Sequence, residues 1–181
     1  NAGYILAKKP EWANYQKKNA DSETIAYSVS EHNGYFIDPA NPEVQNFLYE
    51  LLCEIITRYK PDGINLDYIR YPQSLDTIYS NYDMSNWGYT KYAREEFAKM
   101  YGVDPIELKF TDPLWYQWRA YRCNKVTSFV RRVSVLCRFN KIAITAVIFP
   151  NRNLALNTKM QDWKTWSMNN FVDGFTPLFL T

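Results

Sequence analysis

The chain has 181 residues, enough for one domain with a sizeable core. Hydrophobic residues make up 46% and charged residues 22%, which argues against disorder. Lys plus Arg is 21 against 19 for Asp plus Glu; the net charge of +2 implies no basic face for nucleic acid, and no apolar run approaches the ~20 residues of a membrane span.

The opening NAGYILAKKPEW lacks the basic-then-apolar pattern of a signal peptide. Tyr4 to Ala7 reads as the tail of a strand, Lys8 to Ala20 as a loop or short helix, and Thr24 to Ser30 as a short strand. Asn41, Pro42 and Glu43 then form a helix start: a capping side chain, a proline at the first position and an acid at the positive end of the dipole. Phe47, Leu48, Leu51, Leu52, Ile55, Ile56 and Tyr59 recur at helical spacing until Pro61. The run GINLDYI, Gly63 to Ile69, predicts a strand with Ile64, Leu66 and Tyr68 on one side and Asn65 and Asp67 on the other. Residues 72 to 88 read as a long loop, and Tyr89 to Tyr101 as a short helix capped by Gly102.

Asp112 and Pro113 open a second long helix, whose inner stripe is Trp115, Trp118, Arg122, Val126, Phe129, Val130, Val133, Leu136 and Cys137. Ile142 to Phe149 is the cleanest strand, Met160 to Asn169 a helix with Trp163 and Trp166, and Asp173 to Thr181 one more strand. Repeated helix and strand imply an α/β fold with a parallel sheet. A doubly wound sheet and a (β/α)8 barrel both fit; a barrel typically needs about 250 residues, so on that reading residues 1–181 form one partial domain, the central portion. Such a piece is expected to expose apolar surface and open sheet edges.

Cys53, Cys123 and Cys137 fall in stretches read as helical, form no C-x-x-C pair, and are expected to be buried thiols. His32, the single histidine, cannot build a multi-histidine metal site. No metal and no cofactor is expected.

The stretch that carries chemistry is DGINLDYIRYP, Asp62 to Pro72. Asp67 falls near the C-terminal end of its strand, the end that bears active sites in α/β sheets and barrels. A carboxylate there is costly to bury unpaired. Arg70 is a candidate partner, and an Asp67–Arg70 ion pair that only closes the top of the fold is the structural alternative. Asp62 precedes the strand and suits a turn beside Gly63.

This stretch resembles the hallmark of the bacterial glycosyl-hydrolase-like family ten, whose members are TIM barrels. PEW at Pro10 to Trp12, YFIDPANPEVQNFL at Tyr35 to Leu48, GYTKYAREEFAKMYGVDP at Gly88 to Pro105 and WRAYRCNKVTSFVRR at Trp118 to Arg132 are similar to further family segments in the same order. The resemblance implies that Gly63 to Ile69 is strand four, Ile142 to Phe149 strand five and Phe175 to Leu180 strand six, with part of strand three. It implies a polysaccharide or oligosaccharide substrate, bacterial cell-wall glycan in at least one branch, and a place in the cell envelope or outside the cell. Two departures from the family pattern stand out: Leu180 replaces a tyrosine at the end of strand six, and FPN replaces a serine- and glycine-containing form after strand five.

Glycoside hydrolysis usually takes two carboxyl groups, ~5–5.5 Å apart for retention and ~6.5–9.5 Å for inversion. Asp67 is the expected first, as nucleophile or base kept ionised by Arg70. Glu31, Asp76, Asp83 and Asp162 lie on loops that reach toward the same end; Asp38 suits a structural role, and Asp173 the opposite end. Tyr71, Tyr82 and Trp87 are candidate stacking platforms, with core packing as the alternative for each. Arg119, Asn65 and Asn151 are candidate ligand contacts. A non-catalytic carbohydrate-binding barrel remains the second functional class.

Overall fold

The computed structural model describes residues 2–22, 24–25, 27–28, 33–74 and 82–179. The principal helices and strands run α1 (Ala2–Lys8), α2 (Pro42–Tyr59), β1 (Gly63–Leu66), α3 (Tyr82–Ser85), α4 (Lys91–Tyr101), α5 (Trp115–Phe139), β2 (Ala143–Ile148), α6 (Arg152–Lys159), α7 (Trp163–Met168) and β3 (Gly174–Pro177). The strands form one parallel sheet in the order β1-β2-β3. Its register sets Asn65 beside Thr145, Thr145 beside Gly174 and Val147 beside Thr176.

Local sequence explains the main helices. Asn41 Oδ1 accepts the Glu43 N–H at 2.9 Å, Pro42 opens α2, and Lys60 ends it in the left-handed region. Thr90 caps α4 through the Ala93 N–H, and Gly102 closes it with φ 75°. In α5 the buried residues Trp115, Trp118, Arg122, Val126, Phe129, Val130, Val133 and Cys137 follow the expected stripe.

The main core lies between the sheet and α2, α5 and α7. Leu66, Ile144, Ala146 and Ile148 point into it from the strands, and Ile56, Val126, Phe129, Val130, Val133 and Trp166 from the helices. The other side of the sheet carries Asn65, Ala143 and Thr176, all exposed, Thr145, half-buried, and Val147, buried at the end of β2. Among the described residues the helices that pack on the sheet, α2, α5 and α7, lie on one side, unlike those of a doubly wound sheet. A second cluster gathers Tyr89, Phe97, Leu108, Trp115, Trp118 and Tyr121 between α4 and the first half of α5. Inside it the Trp118 and Tyr121 rings stack at 5.3 Å.

Several expectations are corrected. Among the described residues there are three parallel strands, so the α/β class holds and a closed barrel is not seen. Tyr4 to Ala7 belongs to helix α1 rather than to a strand. The first strand ends at Leu66, because Tyr68 takes a left-handed φ of 52° that no strand continues through. Helix α6, which follows directly on Asn151, divides the stretch after β2 into two helices. Leu51 and Tyr59 are exposed although their spacing puts them on the stripe of α2. Leu51 lies to one side of the face on which Leu48, Leu52 and Ile56 pack against the core, and Tyr59 is the last residue of the helix. Cys123 and Cys137 are buried as expected, whereas Cys53 is only half-buried. Burial pushes the Cys123 thiol up to about 12, which makes it inert.

Candidate functional site at the strand ends

The C-terminal ends of β1 and β2 are tied together by side chains from the segment after β2. The Gln161 carboxamide accepts the Phe149 N–H at 2.9 Å and donates to the carbonyls of Val147 at 3.0 Å and Ile69 at 3.4 Å. Trp163 Nε1 donates to the Phe149 carbonyl at 3.0 Å. The chain leaving β1 runs beside the end of α6, where the Tyr71 and Ser74 N–H groups donate to the carbonyls of Lys159 and Thr158 at 2.9 Å each. The buried Lys159 ammonium donates to Gln73 Oε1 at 3.1 Å and lies 4.0 Å from the Phe149 ring centre.

Asp67 directly follows the last residue of β1 and is exposed. Its Oδ1 accepts the Tyr68 N–H at 2.7 Å, and the Tyr68 carbonyl then accepts the Arg70 N–H at 2.8 Å. This tight turn carries the left-handed Tyr68 and aims its ring outward, 55% exposed. A left-handed conformation at an aromatic residue costs on the order of 1–2 kcal/mol. Arg70 is buried; its guanidinium lies 4.8 Å from the Tyr68 ring centre, 5.2 Å from Phe149 and 6.0 Å from Phe36, and its Nη1 donates to the Tyr71 carbonyl at 3.2 Å. No salt bridge joins Asp67 to Arg70, so the ion pair weighed from the sequence does not form between these two residues. Beside this turn opens a cavity of about 370 Å³, lined among others by Tyr35, Phe36, Tyr68, Arg70, Leu48 and Phe129.

The other expected site residues divide. Asn65 lies one turn of the pleat below Asp67, on the uncovered side, and its Oδ1 accepts the Thr145 hydroxyl at 2.9 Å. Asn151 is exposed at the exit of β2, where its Oδ1 caps α6 through the Leu154 N–H at 3.0 Å. Arg119 reaches α6, donating to Asn157 Oδ1 at 2.5 Å, with its guanidinium 5.1 Å from the Tyr116 ring. Tyr71 and Trp87 are each 1% exposed and sit in the main core, so their rings are packed on both faces rather than offered to a ligand. Burial is the largest cause that holds the Tyr71 phenol well above its ordinary value, with the Asp38 carboxyl adding to it.

Of the carboxylates named as second-group candidates, Glu31 and Asp76 fall outside the described residues, as do the side chains of Asp83 and Tyr82 and the strand-six position Leu180. Asp162 accepts the Thr165 hydroxyl at 2.6 Å at the start of α7. Asp173 accepts the Ile144 N–H at 2.8 Å near the N-terminal end of β2, the opposite end from Asp67. Asp38 is fully buried, accepting the Thr90 hydroxyl at 2.6 Å and the Ala40 N–H at 2.9 Å. Burial raises its carboxyl to about 6 against the opposing pull of those hydrogen bonds and of Lys125.

Sequence reasoning missed Tyr68, Tyr35 and Phe36. Strict alternation put Tyr68 on the helix side, and only its positive φ redirects it. The Tyr35 and Phe36 rings were legible as aromatics just upstream of the Asn41 cap, but nothing local brings them to the end of β1.

No curated protein matches the chain, and no solved structure does. The family model described as glycosyl hydrolase-like 10 matches residues 3–178, nearly the whole sequence. On that match, and with the hallmark aspartate at the exit of a parallel strand, the chain belongs to the glycosyl hydrolase-like 10 family.

Proposed function

We propose that the chain is the central portion of a TIM-barrel glycoside hydrolase acting on bacterial cell-wall or related polysaccharide, with Asp67 as one catalytic carboxylate. The observation that carries this reading is an exposed carboxylate at the C-terminal end of a parallel strand, in the family hallmark, beside outward-facing aromatic rings. Tyr68 and Tyr35, 42% exposed, supply flat faces for pyranose rings, and Arg70 supplies charge behind them. The strained turn at Tyr68 fits a position retained for its task rather than for stability. In this reading Asn65 and Asn151 hydrogen-bond sugar hydroxyls, Arg119 orients the rim through Asn157, and the protein works in the cell envelope or outside the cell.

A carbohydrate-binding role without cleavage is the second reading. It is favoured by one observation: the strand residues on the uncovered side, Asn65, Ala143, Thr145, Val147, Gly174 and Thr176, include no acid, and hydrolysis takes a pair. The test is to incubate the protein and its Asp67→Asn variant with peptide-free glycan strands and measure both released reducing ends and bound glycan. Hydrolysis assigns a loss of about 10²–10⁴-fold to the variant, with binding retained. Equal release from both removes Asp67 from the mechanism, and binding without release by the wild type selects the second reading. Tyr68→Ala is expected to weaken glycan binding in either case.

A further inference from the structure

Three segments far apart in sequence meet around Gly88, and each brings a polar side chain whose bonding capacity the fold does not use up. Asn14 Oδ1 accepts the Gly88 N–H at 2.9 Å. A Cβ added at Gly88 would lie 2.8 Å from Arg122 Cδ and 2.9 Å from Tyr71 Cε1. Asn14, Tyr71 and Arg122 are therefore neighbours of one residue, and each is at most 1% exposed. Each also has a buried atom without a hydrogen-bond partner among the described residues: Asn14 Nδ2, the Tyr71 hydroxyl and Arg122 Nη2.

Buried polar atoms are nearly always paired, and an orphaned one points to a water or an ion. The chemistry of these three is one-sided. A carboxamide nitrogen and a guanidinium nitrogen can only donate. Burial holds the Tyr71 phenol well above its ordinary value, so it keeps its proton and can donate as well. The charge is one-sided too. Arg122 is a wholly buried cation, and among the described residues no carboxylate forms a salt bridge with it. Its partners are neutral: Asn86 Oδ1 at 3.0 Å, the Trp87 carbonyl at 2.9 Å, the Trp118 carbonyl at 3.4 Å, and the Trp118 ring with its centre 4.9 Å from Cζ. The Asp38 charge is felt at Tyr71, but its carboxylate accepts from the Thr90 hydroxyl and the Ala40 N–H and makes no ion pair with Arg122. A buried charge without a counter-charge is costly.

We propose that Asn14, Tyr71 and Arg122 form a site for a small monovalent anion, chloride or one of its size, which supplies the missing counter-charge. Donors gathered beside an uncompensated cation suit an anion, whereas a water would satisfy the donors and leave the charge unbalanced. The close contacts around Gly88 restrict the site to a compact ion. Bound there, the anion ties the N-terminal segment and the chain leaving β1 to α5. The proposal does not depend on what Asp67 does.

Urea unfolding at pH 7 and fixed ionic strength tests it, with sodium chloride exchanged for sodium gluconate. One anion held by the folded chain and released on unfolding lowers the unfolding constant about tenfold for each tenfold rise in chloride above the dissociation constant. Tyr71→Phe removes one donor and no existing hydrogen bond, and is expected to move the onset of that dependence to at least fivefold higher chloride. Asn14→Asp keeps the acceptor for the Gly88 N–H and sets a carboxylate beside Arg122. It is expected to abolish the chloride dependence while unfolding at the wild-type urea concentration in chloride; should it not fold, Tyr71→Phe decides. A crystal grown in bromide is expected to show an anomalous peak within hydrogen-bond reach of Arg122 Nη2. Wild-type unfolding that is independent of chloride overturns the proposal, as does a chloride dependence unaltered in either folded variant. An ordered water only at that position, without bromide signal, overturns it as well.

Discussion

The two faces of the sheet are built on opposite terms. On the helix side, Ile144 and Ala146 are wholly buried against α2, α5 and α7, and hydrophobic packing holds the strands in place. On the other side, Asn65 and Thr145 meet by one exposed hydrogen bond and nothing covers them among the described residues. Stability of this chain therefore resides on one face, and the other is left free for polar work. Asp67, the proposed catalytic carboxylate, lies where the second face runs out into solvent.

The sharpest way to break that contrast is a truncation on the covered face. Ile144→Ala is expected to cost about 2–5 kcal/mol of unfolding free energy, measured by urea titration. Behind the same core, Gly88 has φ +100°, and an added Cβ would lie 2.8 Å from Arg122 Cδ and 2.9 Å from Tyr71 Cε1. Gly88→Ala is thus expected to cost at least about 2 kcal/mol by the same assay.

Asp38 gives a pH-dependent test. Around its carboxyl stand Thr90, the Ala40 N–H, Lys125, Glu96, Tyr71, Tyr92 and Tyr121. Its folded value of about 6 lies above the unfolded one near 4, so the native state holds this proton more tightly. Its contribution is present in full below pH 4 and declines as pH rises to about 6, by on the order of 2–3 kcal/mol. The difference in unfolding free energy between wild type and Asp38→Asn should change by that amount across this window and be flat above it; a difference flat from pH 4 to 7 removes the buried-acid account.

The uncovered face should respond weakly. Tyr68→Gly relieves the left-handed strain and is expected to stabilise by about 1 kcal/mol while glycan binding falls. Asn65→Ala, which removes a single exposed hydrogen bond, is expected to cost under about 1 kcal/mol in urea titration. A cost for Asn65→Ala equal to that for Ile144→Ala would erase the distinction between the faces.

What could be read from the sequence follows the same division. Periodicity and capping are local, so α2, with its Asn41 start, and the stripe of α5 were legible. So were the parallel α/β order and the family. The direction of an aromatic in irregular chain is not local. Tyr71 and Trp87 lie near a polar stretch, yet they turn inward because Tyr71 pairs with the end of α6 and Gly88 packs against Arg122. That buried arginine donates to Asn86 Oδ1 and the Trp87 carbonyl at 3.0 and 2.9 Å, contacts that span more than thirty residues of sequence. Tyr68 escaped for the opposite reason, since one left-handed residue cancels the alternation rule at the point where the strand stops.

The Gln161 carboxamide has a mechanical consequence. A single planar group holds the carbonyls beyond β1 and at the end of β2 as well as the amide of Phe149. The exits of β1 and β2 are therefore linked through one side chain, and moving either strains hydrogen bonds to the other. A load applied at Phe149 would therefore be felt in both strands at once.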